Sequence, residues 1–347
     1  MEIPGALRLN VARTVDGAAW LAGLPAIRAR IAREWELTIG PPFTTGVAAW
    51  TAPARTSAGA EVVLKISLPH REARDEAVAL HHWDGRGAVR LLAHAPDDWG
   101  LLLERCRPGT ALADDDAPSA ARLAAGARVL TTLAAHDLPT GPAPARGPVS
   151  GPALESGPAR GARGVSDEFD GRMTPLDGRV AEMTVVCERG ADALEQTAAR
   201  CASSAAPLSL DRRLVPRAAA LLRELPRSAE RVAVVHGDLN PGNVLRCPQG
   251  PAGWVAIDPK PLIGDPAYDP WPLLAQVDDP WRRADPAAVL RERLAIVAAE
   301  TGLDGHRIAA WGLARGVQSA FWFAGEERWV PAQAELDRAR TWAGLIG

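Results

Sequence analysis

The sequence predicts an α+β chain in two lobes. The first, residues 1–105, is small and β-rich with a leading helix; the second, residues 106–347, is larger and mostly helical. Three observations carry that expectation. A length of 347 residues exceeds one average domain and suits two lobes sharing a cleft. Short apolar runs with strand character crowd the stretch from Ile39 to Arg105, whereas apolar positions at helical spacing dominate after Ala120. Finally, Arg231 to Asp269 breaks the helical pattern with two apolar strands, Val232 to Val235 and Trp254 to Ile257, around a polar loop, His236 to Asn243.

The elements follow in order. Residues 17–37 place Leu21, Leu24, Ile27, Ile31 and Trp35 at spacings of three and four, an amphipathic helix. After Ile39 to Trp50, Thr51 to Gly59 reads as a turn region and Glu61 to Ser67 as a strand with Lys65 in its middle. His70 to Trp83 reads as a helix with Ala73, Ala77 and Leu80 on one face and Glu76 inside that stripe. Ala88 to Ala95 and Trp99 to Arg105 form a hairpin around Pro96-Asp97-Asp98, and Pro108-Gly109 is a break suited to a hinge. Ala120 to His136 is an Ala/Leu helix. The Pro/Gly-rich run at about 139–165 has little to bury and reads as a flexible insertion, with a domain linker as the competing view. Helices are expected near Arg179 to Cys201, at Asp211 to Leu225 with Ser209 or Asp211 as cap, and at Asp269 to Gln276, Pro286 to Gly302 and Asp304 to Glu327.

Composition narrows the class. With 47% hydrophobic residues the chain can bury a real core, and its net charge of −3 leaves no footprint for nucleic acid. No polybasic run suggests a membrane surface. Four cysteines, Cys106, Cys187, Cys201 and Cys247, show neither zinc nor redox spacing. No leader segment is recognised and no apolar run approaches about 18 residues, so a cytoplasmic monomer acting on a small molecule is expected, without nucleic-acid or membrane partners. Of 39 basic side chains only Lys65 and Lys260 are lysines; Asn10, Asn240 and Asn243 are the only asparagines, and Tyr268 the only tyrosine. Rare types thus gather around the polar loop. A chain this biased towards arginine uses lysine where a guanidinium fork would not fit or would bind differently.

The loop itself reads H-x-D-x-x-x-x-N, the spacing of a kinase catalytic loop, in which Asp accepts the substrate hydroxyl proton and Asn holds magnesium. Loose phosphoryl transfer needs a positioned nucleophile and hard cations on phosphate oxygens more than covalent help. Asp238 is the candidate base. Asn243 and a buried-looking Asp258 are the candidate magnesium ligands, with phosphate and water completing the shell. A turn between two strands is the bland reading of the same residues. In the first lobe Lys65 fits the phosphate-pairing lysine, with Glu76 as partner and Glu72 as fallback; an exposed strand lysine and surface-paired helix carboxylates are the alternatives. Thr44, Thr45 and Gly46 would cover phosphates, although no G-x-G-x-x-G is present. Backbone near Glu104 to Cys106 would meet adenine.

Together these residues carry a likeness. AWLAGLPAIRARIAREWEL, VVLKI, WDGRGAVRLL, LLLER, HGDLNPGNVL, AIDPKPLIGDPAYDPWPLL and WGLARGVQSAFW resemble the aminoglycoside phosphotransferase family within the protein-kinase-like fold, in its streptomycin and hydroxyurea branch. The resemblance implies a small-molecule O-kinase that uses ATP and Mg2+ to inactivate an antibiotic. It implies Asp238 as base, Asn243 and Asp258 as metal ligands and Lys65 with Glu76 positioning phosphate. His236 and Asp269 would brace the loop, Asp265 would be a loop or cap residue, and Lys260 would steady phosphate or the Asp258 loop. A guanidinium-bearing acceptor needs carboxylates. Glu326 and Glu327, and the insertion acids Asp167, Glu168 and Asp170, are candidates. The run from Pro139 to Ala206 and the TTG turn depart from the family pattern.

Overall fold

A computed structural model describes residues 2–14, 16–44, 46, 48–136, 138, 181–203, 208–209 and 213–346. The insertion at about 139–165 and its acids, Thr45, Asp211 and the side chain of Glu72 lie outside them. The described chain falls into two compact units that part between Gly109 and Thr110. Among the described residues no helix is long and apolar enough to cross a membrane.

The first unit opens with helices α1 (Gly5–Val11) and α2 (Gly17–Glu34). A five-stranded antiparallel sheet follows, built from β1 (Thr38–Ile39), β2 (Ala49–Arg55), β3 (Glu61–Ser67), β4 (Leu91–Ala95) and β5 (Gly100–Glu104), in the order β1-β2-β3-β5-β4. Helix α3 (Arg71–Trp83) is inserted between β3 and β4. Trp20, Leu24 and Ile31, at helical spacing along α2, meet Trp50 and Ala52 of β2 and Leu64 and Ile66 of β3 in one core. Burying that apolar area is what holds the helix to the sheet.

One expectation fails here. Thr51 to Gly59 is not a turn region, because β2 continues to Arg55 with a strict alternation that buries Trp50, Ala52 and Ala54. Alanines at the inward positions carry little strand signal. Pro53, facing the other way, lacks only a donor, and its carbonyl accepts from the Gly40 amide at 2.8 Å. The turn shrinks to residues 56–60, closed by the Thr56 hydroxyl on the Ala60 amide at 3.1 Å.

The second unit begins with α4 (Ser119–Ala134) and resumes with β6 (Ala181–Glu182), α5 (Met183–Ser203) and α6 (Leu214–Glu224). Then come β7 (Ala233–Val235), β8 (Val244–Arg246), β9 (Trp254–Ala256) and β10 (Leu262–Gly264). Four helices complete it: α7 (Pro270–Gln276), α8 (Pro286–Thr301), α9 (Gly305–Gly325) and α10 (Trp329–Ile346). Two small sheets, β6-β10-β7 and the hairpin β8-β9, are set among these helices. Helix α9 is buried along most of its length, and a Cβ added at Gly312 would lie 2.6 Å from the Trp342 ring, so α9 and α10 pack at a distance only glycine allows.

Helix α10 was not foreseen. Its inward positions are Ala332, Leu336, Ala339 and Trp342, and two alanines out of four blur the periodicity. Helix α6 is described from Leu214, with Arg213 at the N-cap and no side-chain cap; of the two expected caps Asp211 lies outside the described residues, and the Ser209 amide bonds the Gln333 side chain at 2.8 Å.

Candidate active site

In the first unit Lys65 lies in mid β3, flanked in register by Thr51 and Leu101. Alternation turns its side chain to the face opposite Leu64 and Ile66, where its Nζ meets both Glu76 oxygens at 2.7 Å. Neither residue reaches the surface, at 6% and 2% exposure, so the surface-pair and exposed-lysine alternatives are excluded for these two. Gly46 lies in the β1–β2 connection, where a Cβ would come within 2.7 Å of the Ala49 carbonyl. At the end of β5, Glu104 is committed to Arg90: its amide donates to the Arg90 carbonyl at 3.0 Å and its Oε1 accepts from the Arg90 amide at 2.8 Å. That amide is therefore not available to a base. Cys106 beyond it is buried, and Arg105 stacks over Phe43, 5.0 Å from the ring centroid.

In the second unit β7 delivers the loop. Its three residues are buried, and the chain leaves the strand at His236, which is fully buried. The Asp238 amide donates to His236 Nδ1 at 3.3 Å, which leaves the ring proton on Nε2 for the Ile257 carbonyl at 2.9 Å. Burial pulls the His236 pKa down to about 4, so the ring stays neutral. Gly237 takes a left-handed φ of +81°, and a Cβ there would sit 1.9 Å from the Lys260 carbonyl oxygen. Only glycine fits.

The loop is pinned from behind. Asp269 accepts from the His236 amide at 2.6 Å and the Gly237 amide at 2.7 Å. Burial pushes its carboxyl up to about 6, against the opposing pull of those two donors. Arg315 of α9 reaches the Gly237 carbonyl at 3.0 Å and the Tyr268 carbonyl at 2.9 Å while lying over the Tyr268 ring, 3.9 Å from its centroid. Asp265 is more than a cap. Besides the Ala267 amide it takes Arg307 and the Trp311 indole, each at 2.6 Å, and fixes the turn before α7 onto α9.

Held this way, Asp238 keeps its side chain 26% exposed. Lys260 Nζ meets Oδ2 at 2.8 Å and Asn240 Nδ2 meets Oδ1 at 3.2 Å. Asn243 binds the Asp238 carbonyl through Nδ2 at 2.9 Å, which turns its amide oxygen the other way. The β8–β9 hairpin then brings Asp258 near Asn243, because the Ile257 amide donates to the Asn243 carbonyl at 2.9 Å. Asp258 is exposed rather than buried, correcting the expectation: it follows the end of β9 in a left-handed turn with φ 56°, which swings it out of the apolar strand. Lys260, expected on phosphate or the Asp258 loop, contacts the candidate base itself.

Sequence reasoning missed Asn240 as a partner of Asp238 and Arg315 as a clamp. Asn240 had its rarity as a signal; Arg315 is one of many arginines and had none. Glu326 and Glu327 are exposed at the end of α9, Glu327 with a left-handed φ of 56°.

With this geometry in hand, comparison with known proteins gives the class. A family model described as aminoglycoside/hydroxyurea antibiotic resistance kinase matches residues 35–151 and 175–326. The chain is 33% identical over 329 residues to a streptomycin 6-kinase of Streptomyces glaucescens, covering 93% of this chain and 91% of that one. It is 31% identical over 354 residues to a hydroxyurea phosphotransferase of Kitasatospora aureofaciens, covering 100% and 87%. Among solved structures, a choline kinase of Streptococcus pneumoniae superposes with a TM-score of 0.55 at 12% identity, over 93% of this chain and 99% of that one; that likeness concerns the fold alone. The fold is the bilobal α+β fold of protein-kinase-like phosphotransferases. The chain belongs to the aminoglycoside/hydroxyurea antibiotic resistance kinase family, and it is a small-molecule kinase of the aminoglycoside phosphotransferase type.

Proposed function

We propose that this kinase transfers the γ-phosphoryl of ATP to the 6-hydroxyl of the streptidine ring of streptomycin. The observation that carries the chemistry is the part-exposed Asp238 carboxylate on a loop pinned by Asp269, Gly237 and His236. A carboxylate so placed can orient an acceptor hydroxyl and take its proton as the phosphoryl group arrives. Preorganisation is the rest of the task, and the fixed loop supplies it. Lys65, held by Glu76, is the cation suited to the nucleotide phosphates. The acceptor rests on the 33% identity to a streptomycin 6-kinase.

The donor set fits magnesium. Among the described residues no group of three or more His, Cys, Asp or Glu gathers as a metal site. Asn243 and Asp258, whose strands are joined by the Ile257 amide on the Asn243 carbonyl, offer hard oxygen donors of the kind taken by a cation that draws most of its ligands from phosphate and water. When bound it would neutralise charge on the transferring phosphate. Glu326 and Glu327 are exposed carboxylates suited to a guanidinium-bearing acceptor.

Hydroxyurea is the second reading, favoured by the 31% identity to a phosphotransferase of that name along the whole chain. An ADP-release assay with Mg-ATP and a panel of streptomycin, other aminocyclitols and hydroxyurea separates them. Turnover with streptomycin that vanishes in Asp238→Ala supports the first reading. Turnover with hydroxyurea alone would replace it.

A further inference from the structure

The two lysines of this chain end on carboxylates, and the way Lys260 does so carries a further role. Several arginines of this protein grip a carboxylate with both arms, Arg107 on Glu61 at 2.9 and 2.7 Å, Arg128 on Glu300 at 3.0 and 2.9 Å and Arg223 on Glu195 at 2.8 and 2.9 Å, although others, such as Arg246 on Asp115 at 2.8 Å, use one. Such a fork covers both carboxylate oxygens. On Asp238 the cation is instead a lysine, a compact point charge that touches Oδ2 at 2.8 Å, while Oδ1 has only the longer 3.2 Å contact from Asn240.

The root of Lys260 is fixed to the same loop it contacts. Its amide donates to the His236 carbonyl at 2.8 Å, and its own carbonyl lies against the Gly237 Cα, where a side chain would collide at 1.9 Å. The backbones on either side of the ion pair are therefore locked together, and the lysine stem sets one direction for the Asp238 carboxylate.

We propose that Lys260 is a positioning residue that tethers Asp238 at one oxygen and leaves the other to the acceptor hydroxyl. This rests on the reading of Asp238 as the base. A two-armed cation at this place would hold the carboxylate equally well and cover the oxygen that has to work. A neutral side chain would let the carboxylate rotate.

The test uses the full chain with saturating Mg-ATP and the acceptor identified by the panel, and compares Lys260→Met, Lys260→Arg and Lys260→Cys with the parent. The expected result is a melting temperature and both KM values close to the parent, within about threefold for KM, with kcat lowered about 10-fold or more in the Met and Arg variants alike. Aminoethylation of Lys260→Cys rebuilds a one-point ammonium and should restore kcat; the four native thiols are buried and spared. Parent-level kcat in Lys260→Arg would overturn the one-oxygen tether, since charge alone would then suffice. Parent-level kcat in Lys260→Met, or equal kcat before and after aminoethylation, would overturn the positioning role. Should the Met variant not fold, the aminoethylation pair decides alone. Asp238→Ala run alongside separates the two readings: if it is inactive the Lys260 results speak of Lys260, and if it turns over, the base assignment fails and the tether with it.

Discussion

The Lys65–Glu76 and Lys260–Asp238 pairs join the same two chemical groups at nearly the same distance, 2.7 and 2.8 Å, and yet differ in kind. The first is sealed, its side chains 8% and 2% exposed; the second is open, at 42% and 26%. In a low-dielectric interior an ion pair is a structural commitment, because neither charge tolerates losing the other. At a part-exposed site water replaces a lost partner cheaply, so the pair can serve chemistry without being needed for the fold. The difference lies in the elements. Strand β3 turns Lys65 onto Glu76 of α3, where both are buried, whereas Lys260 stands on a turn between β9 and β10.

Removing the carboxylate from each pair tests that contrast most strongly. Asp238→Ala should lower kcat by about 10²–10⁴-fold and leave the denaturation midpoint nearly unchanged. Glu76→Ala should instead cost about 3–5 kcal/mol of stability in chemical denaturation, with Lys65 left buried and unpaired. Equal loss of stability in both variants would erase the distinction. Gly237→Ala probes the backbone beneath the open pair: a left-handed φ of +81° and a collision with the Lys260 carbonyl should lower stability by about 1–3 kcal/mol and displace Asp238, read as a fall in kcat.

A smaller effect lies in pH. The Asp269 carboxyl, at about 6 in the folded chain against 3.8 ordinarily, keeps its proton between those values while the unfolded chain has lost it. Its contribution to stability therefore falls as pH rises from about 4 to 6. His236, at about 4 against 6.5, runs the other way: its neutral ring favours the fold increasingly as pH rises through that window. The two slopes oppose each other. Asp269→Asn should unmask the histidine, and its melting temperature should climb more steeply between pH 4 and 6.5 than that of the parent. At the bottom of the scale, Glu61→Gln at the exposed Arg107 pair should leave the midpoint unmoved.

The loop from His236 to Asn243 was legible as a candidate because the chemistry it is read for demands fixed residue types at fixed spacing, and β7 and β9 announced themselves as apolar runs. Glu76 was legible because a carboxylate on an apolar helix face needs a cation. Other features resisted for physical reasons. Alanine at inward positions hid the length of β2 and the existence of α10, since a methyl group is too small to mark a period. Asp258 looked buried because it follows a strand whose last residues are buried, and a single left-handed residue reverses that. Arg315, Arg307 and Trp311 act across long sequence separations, which spacing cannot encode. One lysine was singled out by scarcity, but its partner was visible only in three dimensions.

That scarcity has a practical side. Primary amines on this chain are confined to two lysine side chains and the amino terminus, and one of those lysines is 6% exposed. An amine-reactive reporter would therefore attach at Lys260 in preference to Lys65, next to the acid expected to receive the acceptor. A fall in the labelling rate at Lys260 when nucleotide or acceptor is added would report cover of the Asp238 carboxylate directly, without turnover, so the scarcity of lysine makes the Lys260 ammonium a built-in footprint for screening.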